Sequence, residues 1–288
     1  MIRTAGLQRI LCALAALCAI AVPCAARGQS DQQARDIVRK MVDNELRMEA
    51  EDHSRWMYKD TYKSPTTDTV KLIIQCTEAN LSELIQINGH APSARDHQAD
   101  LNHNQQVVTD PALRARMRKA EAHDSQQADD LMKMLPTAFV WHVVNRNDGF
   151  LTLAYRPDPN FSPPSMSARV LAAMSGNITI EEHTLRLKTL NGRLMRPVQF
   201  GWGLLGHIDA GGTFRIVREE VAPGIWQITQ THVHISGHAL FFKTIGDQED
   251  EIDSDWKRVP DSVTLQQAAE MIRSGQLQRE MGVHVEFR

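Results

Sequence analysis

The sequence is poor in cysteine and in aromatic residues, and neither sign of charge dominates it. It has 4 cysteines and 6% aromatic residues in 288 positions, and its formal net charge at pH 7 is −3. Acidic and basic residues are interspersed, which argues against nucleic-acid binding, because nucleic-acid-binding proteins usually carry a strong basic patch. The chain also has no HExxH, GxSxG or Walker motif. It therefore lacks the usual signatures of zinc proteases, serine hydrolases and phosphate-loop enzymes.

The first 26 residues have the layout of a secretory signal peptide. Arg3 and Arg9 supply a basic start, Ile10 to Val22 form an apolar run, and Ala26 is a small residue placed for cleavage. The run has 13 residues, whereas a membrane-spanning helix needs about 20, so a signal peptide is favoured over an anchor. No later run reaches that length. We expect a periplasmic or secreted protein that does not span a membrane once this segment is removed.

The cysteines fall mostly within this segment. Cleavage would remove Cys12, Cys18 and Cys24 and leave Cys76 alone. A single cysteine cannot form an internal disulfide, so stability is expected to come from an ordinary hydrophobic core. Cys76 lies on the apolar face of a predicted strand, where a buried thiol is usually inert, and this argues against a cysteine nucleophile.

Short runs of alternating apolar and polar residues, separated by turn residues, occupy most of the chain. In one of them Val70, Leu72 and Ile74 share a face, which is typical of a half-buried strand. Asn-Gly pairs such as Asn191-Gly192 are typical of hairpin turns. The pattern predicts an α+β fold that is mainly β: a curled antiparallel sheet of about 9–11 strands, forming an unclosed half-barrel, with helices covering its concave face.

Helical periodicity interrupts the strand pattern in four places. A helix is predicted over Ser30–Met48, with Ser30 as its cap, and a polar helical insertion spans about 92–135 and ends at Pro136. A short helix follows Ser165, and a last helix covers about 262–273.

These elements predict three parts of the chain. Residues 1–26 are the signal peptide, and 27–246 form one half-barrel domain that contains the insertion. Residues 247–288 form an acidic loop followed by the C-terminal helix and tail. The strands and helices do not alternate as βαβ units do, so a doubly wound nucleotide-binding fold is not expected.

The stretch "THVHISGHALFFKT" raises the question of a metal site. His232 and His234 lie two residues apart on one face of a predicted strand, together with Trp226. Two neutral imidazoles can bind one metal ion, but catalytic zinc needs a third protein ligand, for which His238 and His207 are candidates. A polar face of the sheet explains the same pattern, so both interpretations stay open.

Apolar side chains on the predicted covering helices and strands suit a ligand cavity. Flexible thioether groups and aromatic rings adapt to irregular apolar ligands. The candidate lining is Met132, Met134, Met166, Val170, Leu171, Met174, Trp202 and Trp226. Core packing without a cavity explains the same residues and stays open as the alternative.

One segment carries a resemblance to a known family. "ITIEEHTLRLKTLNGRL", from Ile178 to Leu194, resembles a segment of the outer-membrane lipoprotein-sorting proteins, the LolA/LolB-like family. Ile178 and Ile180 keep its strand, Glu181 stands where Asp is usual, and Gly192 belongs to its hairpin turn. The resemblance implies an unclosed half-barrel with helices as a lid and a cavity that shields acyl chains, and it implies no catalytic residues.

The expected function is therefore that of an exported, non-enzymatic carrier or binder of an apolar, lipid or acyl-type ligand, without a cofactor. A lipoprotein or another cell-envelope protein is the expected macromolecular partner. Two alternatives stay open: a metal-dependent hydrolase that uses His232 and His234, and a protein-interaction module of the cell envelope.

Overall fold

The computed structural model describes residues 22–200, 206–239 and 248–285. The helices are α1 (Val22–Glu51), α2 (Ala94–Thr109), α3 (Pro111–Ala138), α4 (Met166–Leu171), α5 (Leu265–Arg273) and α6 (Gln276–Met281). The strands are β1 (Trp56–Lys63), β2 (Asp68–Gln75), β3 (Asn80–Ile87), β4 (Phe139–Asn147), β5 (Phe150–Pro157), β6 (Met174–Glu181), β7 (Arg186–Leu194), β8 (Val198–Phe200), β9 (Gly206–Ile208), β10 (Thr213–Ala222), β11 (Ile225–His234), β12 (Gly237–Ala239) and β13 (Glu249–Arg258).

Ten strands form one open antiparallel sheet. Their order is β3-β2-β1-β13-β11-β10-β7-β6-β5-β4, and β12, β9 and β8 form a second, three-stranded sheet. Neighbours within β1–β3 and within β4–β7 follow one another along the chain. Strand β13 pairs with β1 on one side and β11 on the other, so the last strand joins the two halves. The predicted class, an α+β chain with one large unclosed antiparallel sheet and accompanying helices, is confirmed.

The first core lies between α1 and strands β4–β7. Helix α1 buries Ala34, Val38, Met41 and Val42, which recur at the helical spacing that keeps side chains on one face. Strand β5 buries every second residue, Leu151, Leu153 and Tyr155. The other members of this core come mainly from β4, β6, β7 and the end of α3: Leu135, Ala138, Phe139, Trp141, Ala173, Met174, Ile178, Ile180, Leu187, Leu194, Val198 and Ile208.

The second core lies between β1–β3 and helices α2, α5 and α6. Leu72 and Ile74 of β2 are fully buried against it. Helix α5 begins with a capping box at Thr264 and contributes Leu265, Ala268 and Ile272. The predicted C-terminal helix at about 262–273 thus forms, and its apolar stripe covers this end of the sheet.

The two cores lie on opposite faces of the large sheet. Directly paired residues of an antiparallel sheet share a face, whereas successive residues alternate. A row of pairs starts at Ile178 in the first core, passes through Leu190, Ile216, Thr231, Glu251 and Tyr62, and reaches Thr69 of β2. Leu72 lies an odd number of residues from Thr69, so the second core is on the other face. The helices therefore divide between both faces.

The predicted hairpin turn at Asn191-Gly192 is wrong, because both residues lie inside β7 and pair with β6 and β10. Two predicted helix boundaries are also wrong. Helix α1 does not begin at Ser30, because it already begins at Val22. Helix α3 does not end at Pro136, because it continues to Ala138. A proline so close to the end removes only one helical hydrogen bond, and the buried contacts of Leu135 and Ala138 with the first core keep the last turn helical.

Helix α2 covers the outer edge of β3. The Asn104 side chain is buried, and it donates to the carbonyl oxygen of Ser82 at 2.7 Å and accepts from the Ser82 N–H at 3.4 Å. One turn earlier, Asp100 accepts from the Leu84 N–H at 3.0 Å. Backbone groups of an edge strand need partners, so two polar side chains on one helix face do here what another strand would do.

Candidate ligand-binding cleft

An open cleft lies where α1 meets the turns that end β6 and β10. Its volume is about 820 Å³, which is within the range of small-molecule sites. Its walls combine charged, aromatic and thioether side chains: Asn44, Arg47, Met48, Phe150, Glu181, Thr184, Arg186, Lys188, Arg218, Glu219, Glu220, Gly224 and Trp226. None of these lining residues in the described part is a histidine or cysteine. The cleft therefore offers binding groups and lacks the nucleophile–histidine pair of many hydrolases.

The floor of the cleft is fixed by a fully buried carboxylate, Glu45 of α1. Its Oε1 accepts from the Arg186 Nε at 3.0 Å and from the Leu187 N–H at 2.6 Å. Its Oε2 accepts from the Arg186 Nη2 at 3.2 Å and from the Arg218 Nη1 at 2.7 Å. Burial lowers the pKa of Arg218, and the Glu45 charge opposes that shift. Two guanidinium groups on one carboxylate hold β7 and β10 against α1.

Aromatic rings lie beside two of the cations. The Arg186 guanidinium carbon lies 5.8 Å from the ring centroid of Trp226, and the Lys188 ammonium lies 4.3 Å from that of Phe150. Both distances are within the range of cation–π interactions. The Arg186 guanidinium is buried, whereas Lys188 forms no ion pair with a carboxylate in the described part of the chain. The cleft thus presents a cation next to apolar surface.

Of the residues predicted to line an apolar cavity, one belongs to this cleft. Met174 is buried in the first core, and four others pack against that core: Met132, Met134, Val170 and Leu171. Met166 is exposed, and Trp202 lies outside the described residues. Trp226 lines the cleft. The packing of Met132, Met134, Val170, Leu171 and Met174 agrees with the alternative that these residues form core without a cavity.

The two strand histidines share one carboxylate. Asp250 Oδ1 lies 2.6 Å from His232 Nδ1 and 3.0 Å from His234 Nε2. These contacts, first the hydrogen bond with His232, lower the pKa of Asp250. Each imidazole therefore has a polar partner on the sheet, as the polar-face interpretation expects. The side chain of His238 lies outside the described residues, and His207 Nε2 of the small sheet lies 3.2 Å from Asp209 Oδ1.

The face of Trp226 differs from the prediction. Register shifts in β11 place Ile228 opposite Arg218 and Gln230 opposite Val217, so one extra residue interrupts the alternation. This bulge turns Trp226 toward the α1 side with Arg218, while His232 and His234 face the other side. The prediction that Trp226 shares a face with the histidines is wrong for this reason.

Three carboxylates meet where β1 pairs with β13. One oxygen each of Asp60, Glu251 and Asp253 lies within 4.8 Å of the others, and the buried Oδ1 atoms of Asp60 and Asp253 have no hydrogen-bond partner. An all-oxygen set of this kind suits Mg²⁺ or Ca²⁺. Burial, then Glu251 and Asp60, raises the pKa of Asp253 to about 7. Protonation of Asp253 reduces the repulsion among the three carboxylates, so their close approach does not require a bound cation.

Sequence analysis did not single out Glu45, Arg186 or Lys188. A signal for Glu45 exists, because it continues the apolar stripe of α1 at the spacing set by Val38 and Val42. A charge on such a stripe must find a buried partner. The partners lie about 140 and 170 positions away along the chain, so the sequence alone could not identify them.

Comparisons with known proteins add no family. No family model matches the chain, and searches of curated proteins and of solved structures found no match. None of the helices in the described part of the chain is long and apolar enough to cross a membrane.

Proposed function

We propose that this protein is an exported, non-enzymatic binder of a small amphipathic ligand, which occupies the cleft beside α1. The observation that carries the proposal is the lining itself. Phe150, Trp226 and Met48 supply apolar contact, and Lys188 supplies a charge next to the Phe150 ring. A ligand with an acyl or aromatic part and a polar head matches such walls, because each part finds its own kind of partner.

The fixed positions of the charged groups at the floor favour a ligand-binding site over a charged surface that binds nothing. Glu45 holds Arg186 and Arg218 in place before any ligand arrives. Groups that are already ordered cost less conformational entropy on binding than groups that must be fixed. An apolar chain gains about 0.8 kcal/mol for each CH₂ removed from water, which is the reason a carrier encloses it.

Native mass spectrometry of the exported protein, purified gently, tests the proposal. We expect a co-purifying molecule of several hundred daltons, on the order of what such a cleft holds. Trp226→Ala should lose it, because half of the aromatic wall is removed.

The matched control is Ile228→Ala on the same strand, since Ile228 is exposed and is not among the lining residues. This variant should retain the ligand. A mass without any addition in the parent protein, or equal retention in both variants, would contradict the proposal.

A further inference from the structure

Most charges of the cleft are used by the protein itself. The Glu181 carboxylate accepts from the N–H groups of His183 and Thr184. Glu220 accepts from the Gly224 N–H at 2.6 Å. Arg47 Nη1 lies 3.0 Å from Glu51 Oε2. These groups close the turns and the helix surface around the cleft, so they are not the first to meet a ligand.

One cation and one anion of the lining have no polar partner among the described residues. Lys188 contacts the Phe150 ring, and Glu219 has no hydrogen bond or ion pair to any described residue. Lys188 comes from β7 and Glu219 from β10, the strand next to it. Both line the same cleft, so the cleft presents unpaired charges of both signs. A ligand of one sign would satisfy one of them and face the other unmatched.

We propose that the ligand is a zwitterion: a molecule that carries an anionic group and a cationic ammonium group, joined to an apolar chain or ring. The inference rests on the proposed function and narrows it. Lys188 binds the anionic group, Glu219 binds the ammonium, and Phe150 and Trp226 hold the apolar part. Two sources have this chemistry, a phospholipid with a choline or ethanolamine head and an apolar amino acid or short peptide.

Four amphiphiles with the same decyl chain separate the effect of the head from that of the chain. They are a decyl sulfobetaine, decanoate, decyltrimethylammonium and decyl maltoside, titrated by calorimetry below their micelle concentrations. We expect the sulfobetaine to bind about tenfold more tightly than either singly charged compound. The sulfobetaine contacts both Lys188 and Glu219, whereas decanoate and decyltrimethylammonium each make one of these two exposed charge contacts.

Two variants reverse the preference in opposite directions. Lys188→Met should weaken the sulfobetaine and shift selectivity toward decyltrimethylammonium, and Glu219→Gln should shift it toward decanoate. Lys63→Met is the matched control, because Lys63 is an exposed lysine on β1 outside the cleft, and it should leave all four affinities unchanged.

The outcomes are distinguishable. Binding of no decyl compound would overturn the proposed function together with this inference. Tightest binding of a singly charged or uncharged head, or no change of selectivity in the two variants, would overturn the zwitterion alone. Dihexanoyl phosphatidylcholine and phenylalanyl-leucine then identify the source: binding of either supports the class, and failure of both contradicts it.

Discussion

Each half of the sheet buries one glutamate under its helices, and the two carboxylates have different partners. Glu45, in the first half, has no exposed surface and accepts from Arg186, Arg218 and a backbone N–H. Glu83, in the second half, is 1% exposed. Its Oε1 accepts from the neutral amide of Gln278, and its Oε2 has no partner. Glu45 is thus paired with two cations, whereas Glu83 is buried without a cationic partner.

The difference shows that the effect of burial on a carboxyl group depends on whether a cation lies beside it. Burial raises the pKa of Glu83 to about 7, the nearby Asp100 adds to the shift, and the Gln278 hydrogen bond opposes it. A carboxyl without a cation avoids the cost of a buried charge by keeping its proton. The second half is therefore expected to weaken as pH rises, and the first half to depend on its ion pairs.

The largest expected effect is at Glu45. Glu45→Gln leaves two buried guanidinium groups without their carboxylate, and we expect a loss of about 3–5 kcal/mol in the free energy of unfolding. Urea unfolding at pH 7 measures it. Glu49→Gln, one turn later on the same helix and exposed, should change the value by less than about 0.5 kcal/mol. Similar losses in both variants would show that the pairs do not stabilise the first half.

The opposite sign is expected at Glu83. Its pKa is about 7 in the folded chain and 4.5 as the ordinary value, so its contribution is complete below about pH 4.5 and is lost as pH rises through 7. Glu83→Gln should change little at pH 4.5 and stabilise by roughly 2–3 kcal/mol at pH 8. Chemical unfolding at the two pH values tests this, with exposed Glu270→Gln as control. A gain of equal size at both values would contradict the explanation.

A smaller effect is expected where the second half is held by neutral groups. Asn104→Ala leaves the Ser82 N–H and carbonyl without their partner on the covered edge, and it should cost about 1–3 kcal/mol. The loss should be the same at pH 5 and pH 8, because no ionisation is involved. Asn102→Ala, exposed on the same helix, is the control. A loss that depends on pH would indicate that the edge is coupled to Glu83 or Asp100.

The smallest effect is expected at Asp253, near the middle of the sheet. Its pKa is raised to about 7 from 3.8, so Asp253→Asn should stabilise at pH 8 and not at pH 3.5. Asp253 is partly exposed, and solvent screening reduces the effect. The gain should therefore be smaller than that of Glu83→Gln under the same conditions. Exposed Asp43→Asn on α1 serves as control, and a gain larger than that at Glu83 would contradict this ranking.

Local patterns predicted the elements well where one face of an element is buried. The alternation of Leu72 and Ile74 predicted β2, and helical periodicity over about 262–273 predicted α5. Both patterns indicate which face of the element is buried, and this can be seen from the spacing of apolar residues along the chain. The same reasoning placed Trp226 on the wrong face, because one extra residue in β11 is visible only in its pairing with β10.

The arrangement of the halves and the floor of the cleft could not be predicted in this way. Strand β13 comes last in the chain and pairs between β1 and β11; no local pattern indicates which strands it joins. Glu45 meets Arg186 and Arg218 only after α1 packs on β7 and β10. Such contacts depend on the topology. Glutamate and arginine are mostly found on solvent-exposed surfaces, so their presence in the sequence does not indicate a buried ion pair.

Placing the cores on opposite faces has a consequence for cooperativity. The cores are connected by the backbone ladder of β1, β13, β11 and β10 and by helix α3, whose Leu113 and Met117 pack against the second core and whose Leu135 and Ala138 belong to the first. Each half then forms a unit with its own opening free energy, as contiguous packed regions do in native-state hydrogen exchange. Amides of β5 and β6 should follow changes at Glu45, and amides of β2 should follow changes at Glu83. The ladder of β13 with β11, together with helix α3, sets the limit to which one half can open alone.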